Sequence, residues 1–70
     1  MKFGKALRAL RKDEKVTRSA WDGSFLQLQK PDEDSKMTVS YIFLEDPDGD
    51  RVPWVASHED LLADDWEVTV

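Results

Sequence analysis

Cysteine is absent from this chain of 70 residues, and His58 is its only imidazole. Disulfides are therefore excluded, and a zinc cage of thiolates and imidazoles has no ligands to draw on. Glycine and proline are scarce, three of each. Gly4, Gly23 and Gly49 stand too far apart for a loop that cradles phosphate. No apolar run approaches the roughly 20 residues a membrane span requires. The opening Met1-Lys2-Phe3-Gly4-Lys5-Ala6-Leu7 is basic, but Arg8, Arg11 and Lys12 interrupt it before the apolar core of a signal peptide can form. The expected location is the cytoplasm.

A chain this short makes one domain, residues 1–70, and buries only about 60 % of the surface its unfolded form exposes. With no disulfide and no metal to supplement a small core, burial against copies of itself is what is left. Three tryptophans, three phenylalanines and one tyrosine point the same way, being more aromatic surface than a small monomer easily hides. A homo-oligomer is expected.

Charge is divided along the chain. Residues 1–20 carry seven Lys or Arg against two acids, whereas residues 21–70 carry three against thirteen, so a segment of +5 precedes one of −10. An overall net charge of −5 repels a phosphate backbone and argues against nucleic-acid polymers as partners. A small anion held against the basic start is still compatible with it.

Phe3, Ala6, Leu7 and Leu10 recur at helical spacing with Lys and Arg between them, which predicts an amphipathic helix over 3–12. Residues 15–21 and 24–29 predict a hairpin about Asp22-Gly23, a dipeptide suited to a tight turn with positive φ. Residues 31–36 form a polar loop. Met37–Leu44, rich in Val, Tyr, Ile and Phe and apolar on both faces at its end, predicts a central strand. Asp46–Asp50 is a turn, and Pro53 confines the strand at Arg51–Val55 to an edge or a bulge. Ser57 reads as the N-cap of a short helix through Ala63, and Trp66–Val70 alternates as a closing strand. The class is α+β: a small antiparallel sheet with an N-terminal amphipathic helix and a short second helix before the last strand.

The chemistry-bearing residues are sparse. His58 follows a helix cap in a run of acids, with no local nucleophile motif, and reads as a solvated side chain. Asp46, Asp48 and Asp50 imitate the opening of a calcium loop, but glycine falls at the fourth place and Ser57 at the twelfth, so a plain turn is favoured. Glu59-Asp60 and Asp64-Asp65 are adjacent pairs that do not face each other on a helix; capping and solubility account for them. The basic stripe of the first helix has too little apolar area to anchor in a membrane. The expectation is a binding protein, not an enzyme, with no catalytic residue, metal or cofactor. Trp21 at the brink of a turn and Trp54 before a helix start suit the stacking of a planar base, with Arg18 or backbone N–H groups taking a phosphate. The same rings equally suit a core or a subunit interface, which is the commoner use.

Several blocks together resemble a known family. Phe3-Gly4-Lys5-Ala6-Leu7, Val16-Thr17-Arg18 with Trp21-Asp22-Gly23, Asp48-Gly49 with Val52-Pro53-Trp54, and Ser57 with the run Asp60 to Trp66 are similar, in order, to the second Thoeris anti-defence family of bacteriophages and prophages. The resemblance implies a sponge: a homotetramer, in the cytoplasm of the bacterial host, that sequesters a glycocyclic ADP-ribose immune signal without cleaving it and so keeps the Thoeris effector inactive. It also implies cyclic oligonucleotides as ligands of a second site in some relatives. On that reading Phe3, Trp21 and Trp54 supply the adenine platform, Arg18 a pyrophosphate donor, and Thr17, Ser57 and the main chain at Ala56 partners for ribose hydroxyls. Trp66 is assigned to core or interface. This chain departs from the pattern in its brief acidic loop after Pro31 and in Ala56, where proline is common. The alternative from a different class is an acidic interaction protein, a DNA mimic whose −10 segment occupies a basic host factor.

Overall fold

The computed structural model describes residues 1–31 and 39–70. The loop expected from Asp32 onward and the first residues of the Met37–Leu44 strand lie outside the described residues. The first helix, α1 (Phe3–Arg11), fully buries Ala6 and Leu10 and keeps Arg8 and Arg11 in its last turn, where cations favour the helix dipole. It stops in a Schellman arrangement. Asp13, with φ 65°, takes the left-handed place usually given to glycine, its N–H donates to Leu10 O and the Glu14 N–H donates to Ala9 O. That reversal feeds the chain straight into the first strand.

The strands are β1 (Lys15–Arg18), β2 (Phe25–Gln29), β3 (Tyr41–Glu45), β4 (Arg51–Pro53) and β5 (Trp66–Thr69), with α2 (His58–Leu62) before the last. They form one antiparallel sheet in the order β4-β3-β2-β1-β5, so the architecture is α+β as the pattern of elements predicts. β1 to β4 are a meander. The connection carrying α2 then crosses the whole sheet to set β5 on the far side of β1. β3 is interior, and β4, with Pro53, is an edge. Ser57 caps α2, its Oγ accepting from the Asp60 N–H at 3.1 Å.

The first hairpin differs from the expected tight turn. The β1 ladder ends at Arg18, and residues 19–24 make a wider connection in which the Trp21 N–H donates to Arg18 O at 2.9 Å. Two long-range contacts override the local turn preference. The Ser19 N–H is drawn to Asp65 O at 3.2 Å, prolonging the pairing with β5, and the Trp21 ring turns back against Trp66. Gly23 does hold a positive φ of 88°.

Register sorts the residues by face. Val16 stands opposite both Leu26 and Val68, Leu26 opposite Leu44, and Leu44 opposite Val52, so these side chains share one face, joined by Leu28 and Ile42. α1 covers that face over β1, β2 and β5, burying Val16, Leu26 and Trp66. Toward β3 and β4 the same face continues beyond the helix as a ledge of Ile42, Leu44, Val52 and Trp54, on which Val52 is 53 % exposed. The opposite face carries Phe25 and Phe43 under two cations: Lys15 Nζ lies 4.7 Å from the Phe25 ring centre, and the Arg51 guanidinium 4.9 Å from that of Phe43. Glu45 fixes Arg51 at 2.6 Å.

Candidate functional site

Trp66 organises the aromatic residues. It is 1 % exposed, and around it stand Trp21 at 5.3 Å, Phe3 at 5.4 Å and Trp54 at 6.0 Å between ring centres, the two indoles edge-on. Phe3 and Trp54 also meet each other at 5.7 Å. The indole N–H of Trp66 donates to Asp60 O at 2.9 Å, which ties α2 down onto the cluster. Three residues expected to form a stacking platform thus share a ring-packed core with Trp66, whose assignment to the core holds. Trp21 and Trp54 are half-buried and keep part of their surface open.

Beside this cluster lies a hollow of about 370 Å³ at the β1–β5 side of the sheet. Thr17, Arg18 and Trp21, all singled out from sequence, line it together. Phe3, Trp54, Ala56 and Ser57 are not part of its wall. Phe3 and Trp54 belong to the cluster, and Ala56 and Ser57 lie on the crossover, where the Ser57 hydroxyl oxygen is engaged as the α2 cap. Ser24, Phe25, Glu67 and Thr69 line the hollow as well and were missed. The signal that finds two of them is strand register. Glu67 stands opposite Thr17 and Thr69 opposite Lys15, pairings that a single strand's alternation does not reveal.

Arg18 is gripped from two sides. Its Nε donates to Asp65 at 2.8 Å and its Nη1 to Asp60 at 2.9 Å, with side chains only 11 %, 27 % and 16 % exposed. Asp65 also accepts from the Ser19 hydroxyl at 3.0 Å. Hydrogen bonding to Arg18 is the main cause that holds the Asp65 carboxyl below its usual range, and the same bonds raise the guanidinium. Asp60 and Asp65, read from sequence as capping and solubilising, are therefore the partners that join β1, α2 and the start of β5. Thr17 Oγ1 donates to Ser24 O at 2.6 Å, closing the floor of the hollow. A second, basic hollow of about 520 Å³ lies along α1, lined by Met1, Lys2, Gly4, Lys5 and Arg8. Among the described residues no group of acidic, histidine or cysteine side chains could hold a metal ion, and no helix is long and apolar enough to cross a membrane.

The model of the Thoeris anti-defense 2-like domain matches residues 1–69. The chain belongs to this family. Thoeris anti-defense 2 of Bacillus phage SP01 is 31 % identical over an alignment of 83 positions, which covers 97 % of this chain and 93 % of that protein. Because the alignment is longer than the 70 residues here, the relative carries residues with no counterpart in this chain. The Thoeris anti-defence family is one of phage anti-defence proteins, and that class of function, together with the α+β fold, is as the sequence blocks led one to expect.

Proposed function

We propose that the chain is a sponge that sequesters a glycocyclic ADP-ribose immune signal and leaves it chemically intact, so that the Thoeris effector is not switched on. The observation that carries this reading is the hollow that gathers Thr17, Arg18 and Trp21 beside a half-exposed indole. Its walls offer a ring for a base and hydroxyls for a sugar. His58 is exposed on α2 and is not among the residues lining the hollow. Retention alone needs no acid, base or metal. The protein is read as a binder and not an enzyme, without a cofactor, acting in the cytoplasm of the bacterial host.

Homotetramer formation belongs to the same reading. The apolar ledge of Ile42, Leu44, Val52 and Trp54 favours it, since α1 leaves that part of the sheet face to be covered by another surface. A second site for cyclic oligonucleotides is part of the proposal only so far as the basic hollow of Lys2, Lys5 and Arg8 provides cations for phosphate.

The test is retention. Purified protein is incubated with glycocyclic ADP-ribose and filtered, and both the filtrate and the fraction released by heat are assayed. The signal should leave the filtrate and return unaltered on heating. Trp21→Ala should weaken binding by about 1–3 kcal/mol, the usual worth of a stacked base. A signal that stays in the filtrate, or comes back cleaved, overturns the reading. Trp21 is the cleaner position to change, because Trp54 touches both Phe3 and Trp66 and its loss opens the core.

A further inference from the structure

We propose that the hollow beside Trp21 is a ribose site in which Glu67 accepts the hydroxyls of a vicinal diol, and that the pyrophosphate of the ligand lies outside it. The inference rests on the nucleotide reading for the ligand's class and goes beyond it in saying which part of the nucleotide enters, and in naming the residue that selects it.

Charge decides which part enters. Arg18 is the one cation among the lining residues, and it already faces two carboxylates, Asp65 at 2.8 Å and Asp60 at 2.9 Å, while Lys15 stands at the rim with its Nζ 4.7 Å from the Phe25 ring centre. Glu67 adds a further negative charge to the wall. A phosphate would have to displace one of Arg18's own partners and then sit near the carboxylate it displaced. An uncharged, hydroxyl-rich group meets no such obstacle.

The remaining wall has the chemistry of sugar recognition. A carboxylate has two acceptor oxygens and no donor, so it can take both O–H groups of a cis-diol in short, charge-assisted hydrogen bonds. Glu67 is exposed and directly across the ladder from Thr17, with Thr69 next on the same face of β5. The Thr17 hydroxyl spends its proton on Ser24 O and keeps its lone pairs for a donor on the ligand. Phe25 adds apolar ring surface for the carbon face of the furanose, next to the Trp21 indole offered to the base. Glu67 is bound to no other side chain by a hydrogen bond or ion pair among the described residues, so both of its oxygens are open to a ligand.

The experiment compares calorimetric titrations of the protein with ADP-ribose and with the analogue whose terminal ribose lacks its 2-hydroxyl. The unmodified protein should prefer ADP-ribose by roughly tenfold, the scale of one hydrogen bond to a charged acceptor. Glu67→Gln should erase most of that preference while leaving the thermal midpoint and oligomer mass unchanged, because the side chain is exposed and unpaired among the described residues. Arg18→Lys, which loses the fork that grips both acids, tests the alternative that the guanidinium takes the phosphate. Under the proposal it lowers stability but keeps the diol preference. Equal binding of the two ligands, binding of neither, or a preference that survives Glu67→Gln overturns the ribose site. Retention of glycocyclic ADP-ribose is measured in parallel on the same variants. If retention holds while the preference fails, the ribose site falls and the sponge reading stands; a preference without retention of the cyclic signal does the reverse.

Discussion

Arg18 has two acidic partners 42 and 47 residues away, and through them it fastens β1 to the α2–β5 corner. The pH dependence of that fastening follows from its charges. Asp65 titrates below its usual range in the folded chain, so the folded state binds fewer protons than the unfolded one as acid is added. Its contribution is present above about pH 4, where the unfolded carboxyl is ionised, and is lost as pH falls through the depressed folded value. Asp65→Asn should therefore flatten the loss of stability below about pH 4 in urea titrations and lower stability at pH 7. An unchanged acid limb would show that the pair does not couple to folding. The raised guanidinium of Arg18 has no consequence in the working range, since it is protonated in both states. None of this was legible in the sequence. Asp60 and Asp65 sit among other acids near the chain's end, and only a contact across the fold distinguishes them from solubilising neighbours.

Turns show how far a local pattern reaches. Gly23 and Gly49 both hold a positive φ, 88° and 90°, but their surroundings differ. A Cβ on Gly23 would come within 3.0 Å of Pro47 Cγ in the adjacent β3–β4 turn, whereas one on Gly49 meets nothing within 4 Å. Both alanine variants bear the conformational cost of about 1–2 kcal/mol for a left-handed residue. Gly23→Ala should cost measurably more than Gly49→Ala in chemical denaturation followed by circular dichroism, and equal losses would mean that Pro47 yields without penalty. Elements governed by short-range rules were legible. The spacing of Phe3, Ala6, Leu7 and Leu10 gave α1, Ser57 gave the cap of α2, and Pro53 gave an edge strand. The span from Ser19 to Ser24 was not, because a side chain packing against Trp66 and a backbone bond to Asp65 decide its path. The same holds for the hollow: Thr17, Arg18 and Trp21 were found as a cluster in sequence, whereas Glu67 joins them only through the pairing of β1 with β5.

At the scale of the molecule, helix and sheet are unequal in width. α1 shelters β1, β2 and β5, and the helix-side surface of β3 and β4 lies beyond its cover. Val52 is the residue on that ledge whose change disturbs the isolated fold least, being 53 % exposed on an edge strand. If the proposed homotetramer is built on this ledge, Val52→Asp should reduce the mass found by light scattering without shifting the circular dichroism spectrum. An unaltered mass would remove the ledge from the proposed assembly. The amount of aromatic residue in the sequence was a fair guide to a need for burial, but not to its distribution, since much of it is absorbed around Trp66 inside one chain.

The nesting of Trp21 and Trp54 against Trp66, at 5.3 and 6.0 Å, also has an optical consequence. Indoles this close pass excitation between them faster than they emit, so the three behave as one chromophore whose emission leaves from the ring of lowest energy. A molecule that touches Trp21 alone should dim or shift the light of the whole group, and the protein carries its own unlabelled reporter of occupancy.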